Sequence, residues 1–165
     1  MNADYYRTMF DYGYWARDRL YAAMEGMTDE EYARPNGFTY NGLRSILTHT
    51  LGAEQIWLTR FLREQPGPFL NEESLPALAD LKATWEKEEA RMRGFLASRS
   101  DADLQHHVVT RMRNGNELRL PLWVLLTQVS NHGTQHRSEA AEALTLVGRS
   151  PGTLDFMNYY RERNP

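Results

Sequence analysis

The stretch VSNHGTQHRSEAAEAL, Val129–Leu144, decides the fold because it is typical of a long helix. It carries two histidines in the row of residues that should face the protein interior. Residues of one row recur at every third or fourth position, the spacing of one face of an α-helix. We predict this helix from Pro121 to about Val147. A packed helix normally carries leucine or alanine on such a face, so the histidines need an explanation. The row consists of Leu125, Val129, His132, His136, Ala140, Ala143 and Val147.

Three further segments show the same helical spacing. A first helix is predicted from Tyr5 to Gly26, a second from about Leu43 to Arg63 and a third from about Leu75 to Ala97. The proline-rich Pro66–Pro68 is expected to end the second helix. Four long amphipathic helices in 165 residues predict an all-α four-helix bundle, with a single domain over residues 1–165.

Shorter elements complete the predicted fold. Within residues 105–120, apolar and polar side chains alternate around Asn114-Gly115, the favoured centre of a two-residue hairpin turn. A small β-hairpin is therefore expected between the third and fourth long helices. Thr28 and Glu31 predict a capping box for a short helical turn. A short C-terminal helix, residues 154–163, is expected to pack back onto the bundle.

The composition excludes several classes of protein. The formal net charge is −3, and Lys and Arg are interspersed with Asp and Glu, so no basic surface for nucleic acid is expected. The first residues lack the basic start and apolar run of a leader peptide, and no apolar run is long enough for a membrane span, so we expect a cytoplasmic protein. With no cysteine, it has no thiolate ligand and no thiol nucleophile of its own.

A third histidine, His49, interrupts the apolar row of the second predicted helix. Residues four apart on a helix differ by about 40° in direction and about 6 Å in height, so His132 and His136 can point at one spot. Two interpretations of the pattern remain open: hydrogen-bonded core histidines, or three ligands of a divalent metal ion. The second interpretation predicts that His49 faces the other two across the bundle.

Several polar residues near these rows are weaker candidates for a role. Glu88 lies in the apolar row of the third predicted helix and is the candidate catalytic carboxylate. Glu54 lies too far round the second helix to share the direction of its histidine, so a solvated position or an interhelical ion pair is expected. Glu139 is expected to be a charge on the flank of its helix, whereas Asn131 and Gln135 could orient an imidazole.

Four segments of the chain resemble the DinB/YfiT-like family of metalloenzymes. They are YGYWARDRLYAAM in the first helix, RSILTHTLGAEQIWLTRFL in the second, VSNHGTQHRSEAAEAL in the fourth and RSPGTLDFMNYYRE at the end. The resemblance implies a four-helix bundle with a divalent metal bound by His49, His132 and His136. Many members have Gly-Gln after the His-Arg pair, where this chain has Ser138 and Glu139. The resemblance therefore implies no role for these two residues in supporting the metal ligands.

The resemblance also implies a reaction, because some relatives transfer bacillithiol or mycothiol. We expect a metal-dependent transferase in which a low-molecular-weight thiol takes the open coordination position and attacks a small electrophile. Zinc or nickel is the expected metal, with iron, cobalt and manganese left open. Two alternatives are a hydrolase that uses metal-activated water and a non-catalytic stress or ligand-binding protein stabilised by the metal. Relatives often pair, so a homodimer is a further expectation.

Overall fold

The computed structural model describes residues 2–37, 40–65, 67–111 and 114–165, and most of them are helical. A 3-10 turn, Asp103–Gln105, leads into strands β1 (His107–Arg111) and β2 (Glu117–Pro121), which pair antiparallel. The helices are α1 (Ala3–Ala23), α2 (Asp29–Ala33), α3 (Leu43–Leu62), α4 (Leu78–Ala97), α5 (Leu122–Leu146) and α6 (Phe156–Arg163).

The predicted all-α architecture is confirmed, with the hairpin between the third and fourth long helices and a short helix at the C-terminus. The four long helices are α1, α3, α4 and α5. Helices α1 and α3 each pack against both α4 and α5, so every long helix buries two sides. The interior between them is filled by fully buried side chains such as Leu51, Leu81, Trp85, Met92 and Leu126. None of the described helices combines the length and the apolar composition needed to cross a membrane.

The interior row predicted for α5 faces the bundle over most of its length. Val147 is the exception and is exposed, because the helix ends at Leu146. His132 is half-buried at the edge of the row. The buried members of the row are Leu125, Val129, His136, Ala140 and Ala143.

Helix α4 begins later than the periodicity predicts. Leu75 is buried but precedes the helix, because Pro76 disfavours helical backbone at the residue before it. The Asp80 side chain accepts a hydrogen bond from the Ala77 amide and starts the helix there. Pro121, expected in the first turn of the next helix, instead pairs with His107 as the last residue of β2.

Helix α3 ends at Leu62, before the predicted stop at Pro66–Pro68. Arg63 follows in the left-handed conformation, with φ of 56°, and its amide donates to the carbonyls of the last helical turn. Pro66 itself lies outside the described residues, as do Met112 and Arg113 of the predicted hairpin segment.

The C-terminal helix α6 returns to the bundle and packs against α1, as predicted. Tyr159 lies between Tyr12 and Trp15, with ring centroids 5.8 Å from each. The Trp15 indole donates a hydrogen bond to Glu162 at 2.8 Å, and the Tyr12 hydroxyl donates to the Leu154 carbonyl at 2.8 Å. Trp15 therefore has a packing role.

The chain enters α3 through a tight turn at Gly42. Its φ is 124°, which side-chain-bearing residues rarely adopt, and a Cβ atom there would lie 2.5 Å from the Arg34 carbonyl oxygen. The Gly42 amide also donates to the Tyr40 carbonyl at 2.6 Å, so the same turn determines where Tyr40 lies. Only glycine satisfies both constraints.

Gly42→Ala is expected to destabilise the protein by about 1–3 kcal/mol, because the new Cβ atom would strain the backbone and press on Arg34. Gly94→Ala is the matched control, since Gly94 lies inside α4 with no neighbouring atom within 4 Å of an added Cβ. It should stabilise the protein by about 0.5–1 kcal/mol through lower conformational entropy of the unfolded chain. Urea denaturation followed by circular dichroism measures both, and equal effects would contradict the requirement for Gly42.

Candidate metal centre

Three histidines from two helices converge between α3 and α5. The structure brings together the residues that the sequence singles out, with His49 on α3 and both His132 and His136 on α5. The Nε2 atom of His132 lies 3.2 Å from Nε2 of His49 and 3.1 Å from Nε2 of His136. One ligand atom from each residue lies within 4.8 Å of the other two. His136 is buried, and the other two rings are half-buried.

This spacing suits three nitrogens that share one divalent cation. Nitrogen ligands about 2.0–2.1 Å from a zinc ion lie about 3 Å from one another in tetrahedral or octahedral geometry. Without a cation, each close pair of nitrogens needs a proton between them, because two facing lone pairs repel. A single ion would satisfy all three lone pairs at once. The three side chains could therefore hold a metal ion, and their half-buried side leaves it accessible.

Glu139 orients one of the three rings. Its Oε2 atom lies 2.6 Å from Nδ1 of His136, and its Oε1 atom accepts a hydrogen bond from Gln135 at 3.2 Å. A carboxylate at Nδ1 favours the tautomer protonated there, which leaves the Nε2 lone pair for a cation. Partial burial acts to raise the pKa of Glu139, but the hydrogen bonds from His136 and Gln135 outweigh it and lower this pKa. Glu139 is thus more than a flank charge, because its (i, i+3) spacing returns the carboxylate to the ring.

The surroundings favour the neutral form of two rings. Burial, and then the proximity of His136 and His49, lowers the pKa of His132 to about 4. Burial, and then the proximity of His136, lowers the pKa of His49 as well. Metals bind neutral imidazole, so both shifts favour the ligand form near neutral pH.

Tyr40 adds a phenol to the centre that the sequence patterns do not reveal. Its hydroxyl lies 3.0 Å from Nε2 of His49. Its ring stacks on that of His49 with centroids 4.4 Å apart and meets the ring of His136 edge-on at 4.9 Å. Tyr40 belongs to the loop before α3, where helical periodicity cannot indicate which residues face the interior.

A small chamber adjoins the histidines inside the bundle. Its volume is about 20 Å³, and a cavity needs roughly 10–15 Å³ to hold one water molecule. Glu54 is buried in its wall, where Oε1 accepts a hydrogen bond from the Tyr14 hydroxyl at 2.5 Å and Oε2 accepts one from the Trp85 indole at 3.2 Å. Other residues of the wall are His132, Gly133 and Arg137.

The expectation that Glu54 is solvated or paired with a cation is wrong. Helix α3 packs against α4 as well as α5, so a side chain about 140° round the helix from His49 meets the second neighbour instead of solvent. Burial raises the pKa of Glu54, and this effect exceeds the lowering by the hydrogen bonds from Tyr14 and Trp85. The Glu54 carboxyl therefore keeps its proton to a higher pH than an exposed glutamate does.

Arg137 brings a buried positive charge to the same chamber. Its guanidinium occupies the space between Gly13 of α1 and Gly133 of α5, where added Cβ atoms would lie 3.3 and 2.7 Å from its Nη1. It donates a hydrogen bond to the Thr134 hydroxyl at 3.0 Å. Burial lowers the pKa of Arg137, but an arginine stays charged in any case. The two glycines thus make room for this side chain.

Glu88 is buried, as its place in the apolar row predicts, but it is engaged elsewhere. Its carboxylate pairs with Arg91 at 2.8 Å and accepts a hydrogen bond from Gln55. The chamber wall contains Glu54 and not Glu88, so Glu54 is the carboxylate that shares a cavity with His132. A catalytic role of Glu88 stays a prediction.

A larger groove adjoins the chamber along α1 and α5. Its volume is about 820 Å³, within the roughly 300–1,000 Å³ range of small-molecule sites. The groove and the chamber share Met9, Trp57 and Ser130 as lining residues, so the two spaces lie side by side. The aromatic residues that line the groove are Tyr5, Tyr6, Tyr12, Trp57, Trp123 and Phe156.

Replacement of Glu54 by glutamine should remove a pH dependence of stability. The folded state retains the Glu54 proton above the ordinary pKa of 4.5, so this residue weakens the fold as pH rises through its raised folded pKa. The free energy of unfolding of the wild type minus that of Glu54→Gln should therefore fall as pH rises from about 5 to about 8. Urea denaturation across this range measures the difference. A constant difference would show that Glu54 does not titrate in this way.

The sequence of the chain matches the model of one protein family. A model of the DinB family matches residues 1–164, which include all three histidines, the hairpin and α6. No curated protein gives a match to the chain. Because the family match covers nearly every residue, the chain belongs to the DinB family.

Proposed function

We propose that this protein is a divalent-metal-dependent enzyme in which His49, His132 and His136 bind the metal. The observation that best supports the proposal is the convergence of the three Nε2 atoms, at 3.1 and 3.2 Å on either side of His132. The Glu139 carboxylate at Nδ1 of His136 supports it further, because metal-binding histidines usually donate their other N–H to such a partner. Zinc or nickel suits a set of three imidazoles.

The proposed reaction joins a low-molecular-weight thiol to a small electrophile. Three protein ligands leave a coordination position for a cosubstrate, and a bound divalent cation favours the thiolate form of a thiol. The chain contains no cysteine, so the sulfur nucleophile would come from a cosubstrate. In this reaction, the sulfur bonds to the electrophilic carbon as the leaving group departs, and the thiol proton passes to solvent.

The surrounding residues would select and hold the reactants. The aromatic groove along α1 and α5 is large enough for the apolar part of a small electrophile. Met9, Trp57 and Ser130 line both the groove and the chamber, and His132 lies in the chamber wall. A reactant in the groove would therefore lie next to the chamber that borders His132.

A metal-dependent hydrolase is the second candidate, and the position of Glu54 favours it. A zinc ion lowers the pKa of bound water to about 7, and hydrolysis then needs a group that accepts a proton nearby. Glu54 shares the chamber with His132, and its raised pKa makes its carboxylate a stronger base than that of an exposed glutamate. Glu88 is less suitable, because Arg91 holds its carboxylate.

The wild-type protein is expected to bind about one equivalent of zinc or nickel, as a three-histidine site does. His132→Ala should remove most of this metal, because Nε2 of His132 is the atom that lies within 3.2 Å of both other histidines. His107→Ala is the control, since His107 is exposed at the start of β1. Elemental analysis after dialysis measures all three proteins. Equal metal content in the wild type and His132→Ala would contradict the site.

The zinc-loaded protein should accelerate the reaction of a chromogenic aryl halide with one or more small thiols. Tests with a panel of thiols compare the loaded protein, the metal-free protein and His132→Ala, and only the first should show a rate above background. Absence of any thiol-dependent rate in the loaded protein would refute the transferase.

The same proteins are also tested without thiol on chromogenic esters. The dependence of the rate on thiol then distinguishes the transferase from the hydrolase. Ester cleavage that needs metal but no thiol, and that Glu54→Gln abolishes, would support the hydrolase. Glu88→Gln tests the other candidate carboxylate in the same assay, because Glu88 is also buried but lies outside the chamber wall.

A further inference from the structure

Tyr40 places its phenolic oxygen beside one nitrogen of the candidate metal centre. The hydroxyl lies 3.0 Å from Nε2 of His49, the atom that lies 3.2 Å from Nε2 of His132. This contact differs from that of Glu139, which meets His136 at Nδ1, on the far side of the ring. Tyr40 therefore touches a nitrogen that would itself bind the cation.

The position of Tyr40 is held from two directions. Its ring is stacked on His49 and lies edge-on to His136, with centroid distances of 4.4 and 4.9 Å. Its carbonyl accepts a hydrogen bond from Gly42, where φ of 124° and the nearby Arg34 carbonyl allow no side chain. The hydroxyl is thus held beside Nε2 of His49 by contacts that do not depend on its own hydrogen bond.

A cation would change the partner of the Tyr40 hydroxyl. The Nε2 atom of His49 has one lone pair, which serves either a hydrogen bond from Tyr40 or a bond to a cation. Once a cation takes that lone pair, the hydroxyl loses its acceptor while the ring contacts keep it beside the ion. A hydroxyl that loses this acceptor can turn a lone pair of its oxygen to a cation bound at the same nitrogen.

We infer that Tyr40 is the fourth donor of this centre and that its phenolic oxygen binds the cation together with His49, His132 and His136. The inference rests on the proposed metal site and adds an oxygen ligand to it. The oxygen forms a bond to the cation, the O–H bond breaks and the proton leaves to solvent, with nothing oxidised or reduced. Tyrosine oxygen is a known ligand of protein-bound metal.

A fourth protein donor changes how a cosubstrate would reach the cation. Zinc sites of four ligands can expand to five, so a thiol or water can still join on the half-buried side. Tyr40 would then be part of the site. The centre would also hold three nitrogens and one oxygen, a set without sulfur, as a chain without cysteine requires.

Copper(II) is a suitable probe, because a phenolate bound to it gives a visible charge-transfer band that imidazole ligands do not give. One equivalent of copper(II) added to the metal-free wild type should produce this band. Tyr40→Phe should lose the band but keep the ring contacts with His49 and His136. Tyr160→Phe is the matched control, since Tyr160 is exposed on α6, and it should retain the band.

Zinc affinity provides a second measurement, by competition with a chromophoric chelator. Tyr40→Phe should bind zinc about 10- to 100-fold more weakly than the wild type, the range seen when a supporting group at a metal site is removed. Circular dichroism checks that the variant is as helical as the wild type.

The outcomes separate the two levels of the proposal. If the wild type binds copper and zinc but shows no band, or if Tyr40→Phe keeps the band, the role of Tyr40 is refuted while the histidine site stands. If Tyr40→Phe binds zinc as tightly or more tightly, the phenol competes for His49 instead of binding the ion, and the inference is again refuted. If the wild type binds neither ion, the histidine site and the inference fall together.

Discussion

The contact among three imidazoles is the constraint on which the rest of the structure depends. Nitrogens 3.1 and 3.2 Å apart cannot all present lone pairs to one another, so the group needs protons or a cation to be stable. The lowered pKa of His49 and of His132 disfavours a second proton on either ring, whereas the single N–H of a neutral imidazole can still lie between two of the nitrogens. The packing of α3 against α5 holds the three rings close enough to share one N–H or one cation.

Other side chains surround the three rings. Glu139 supplies negative charge at Nδ1 of His136, and Tyr40 stacks on the ring of His49. On the inner side, the chamber contains a buried carboxyl at Glu54 and a buried guanidinium at Arg137. Helix α3 is packed between α4 and α5 and therefore buries residues on two of its faces. One face carries His49, and the other carries Glu54.

The fold and the three histidines could be predicted from sequence, because both depend on periodicity along single helices. The row of α5 predicts that His132 and His136 face inward, and the row of α3 does the same for His49. Glu54 could not be placed, since one helical row does not show that a second face of α3 meets α4. Glu139 and Tyr40 required the fold for other reasons: one acts through a side chain that bends back along its helix, and the other lies in a loop without periodicity.

The distribution of the histidines along the chain affects how a metal would act on the unfolded protein. His132 and His136 form a chelating pair as soon as one turn of α5 is helical, whereas His49 is separated from His132 by 83 positions. A cation bound early by this pair would stabilise a partly formed α5 before His49 comes together with the other two histidines. Such binding to the unfolded chain reduces the gain that the ion gives to the native state. The melting temperature would then rise less with added metal than the affinity of the complete site implies.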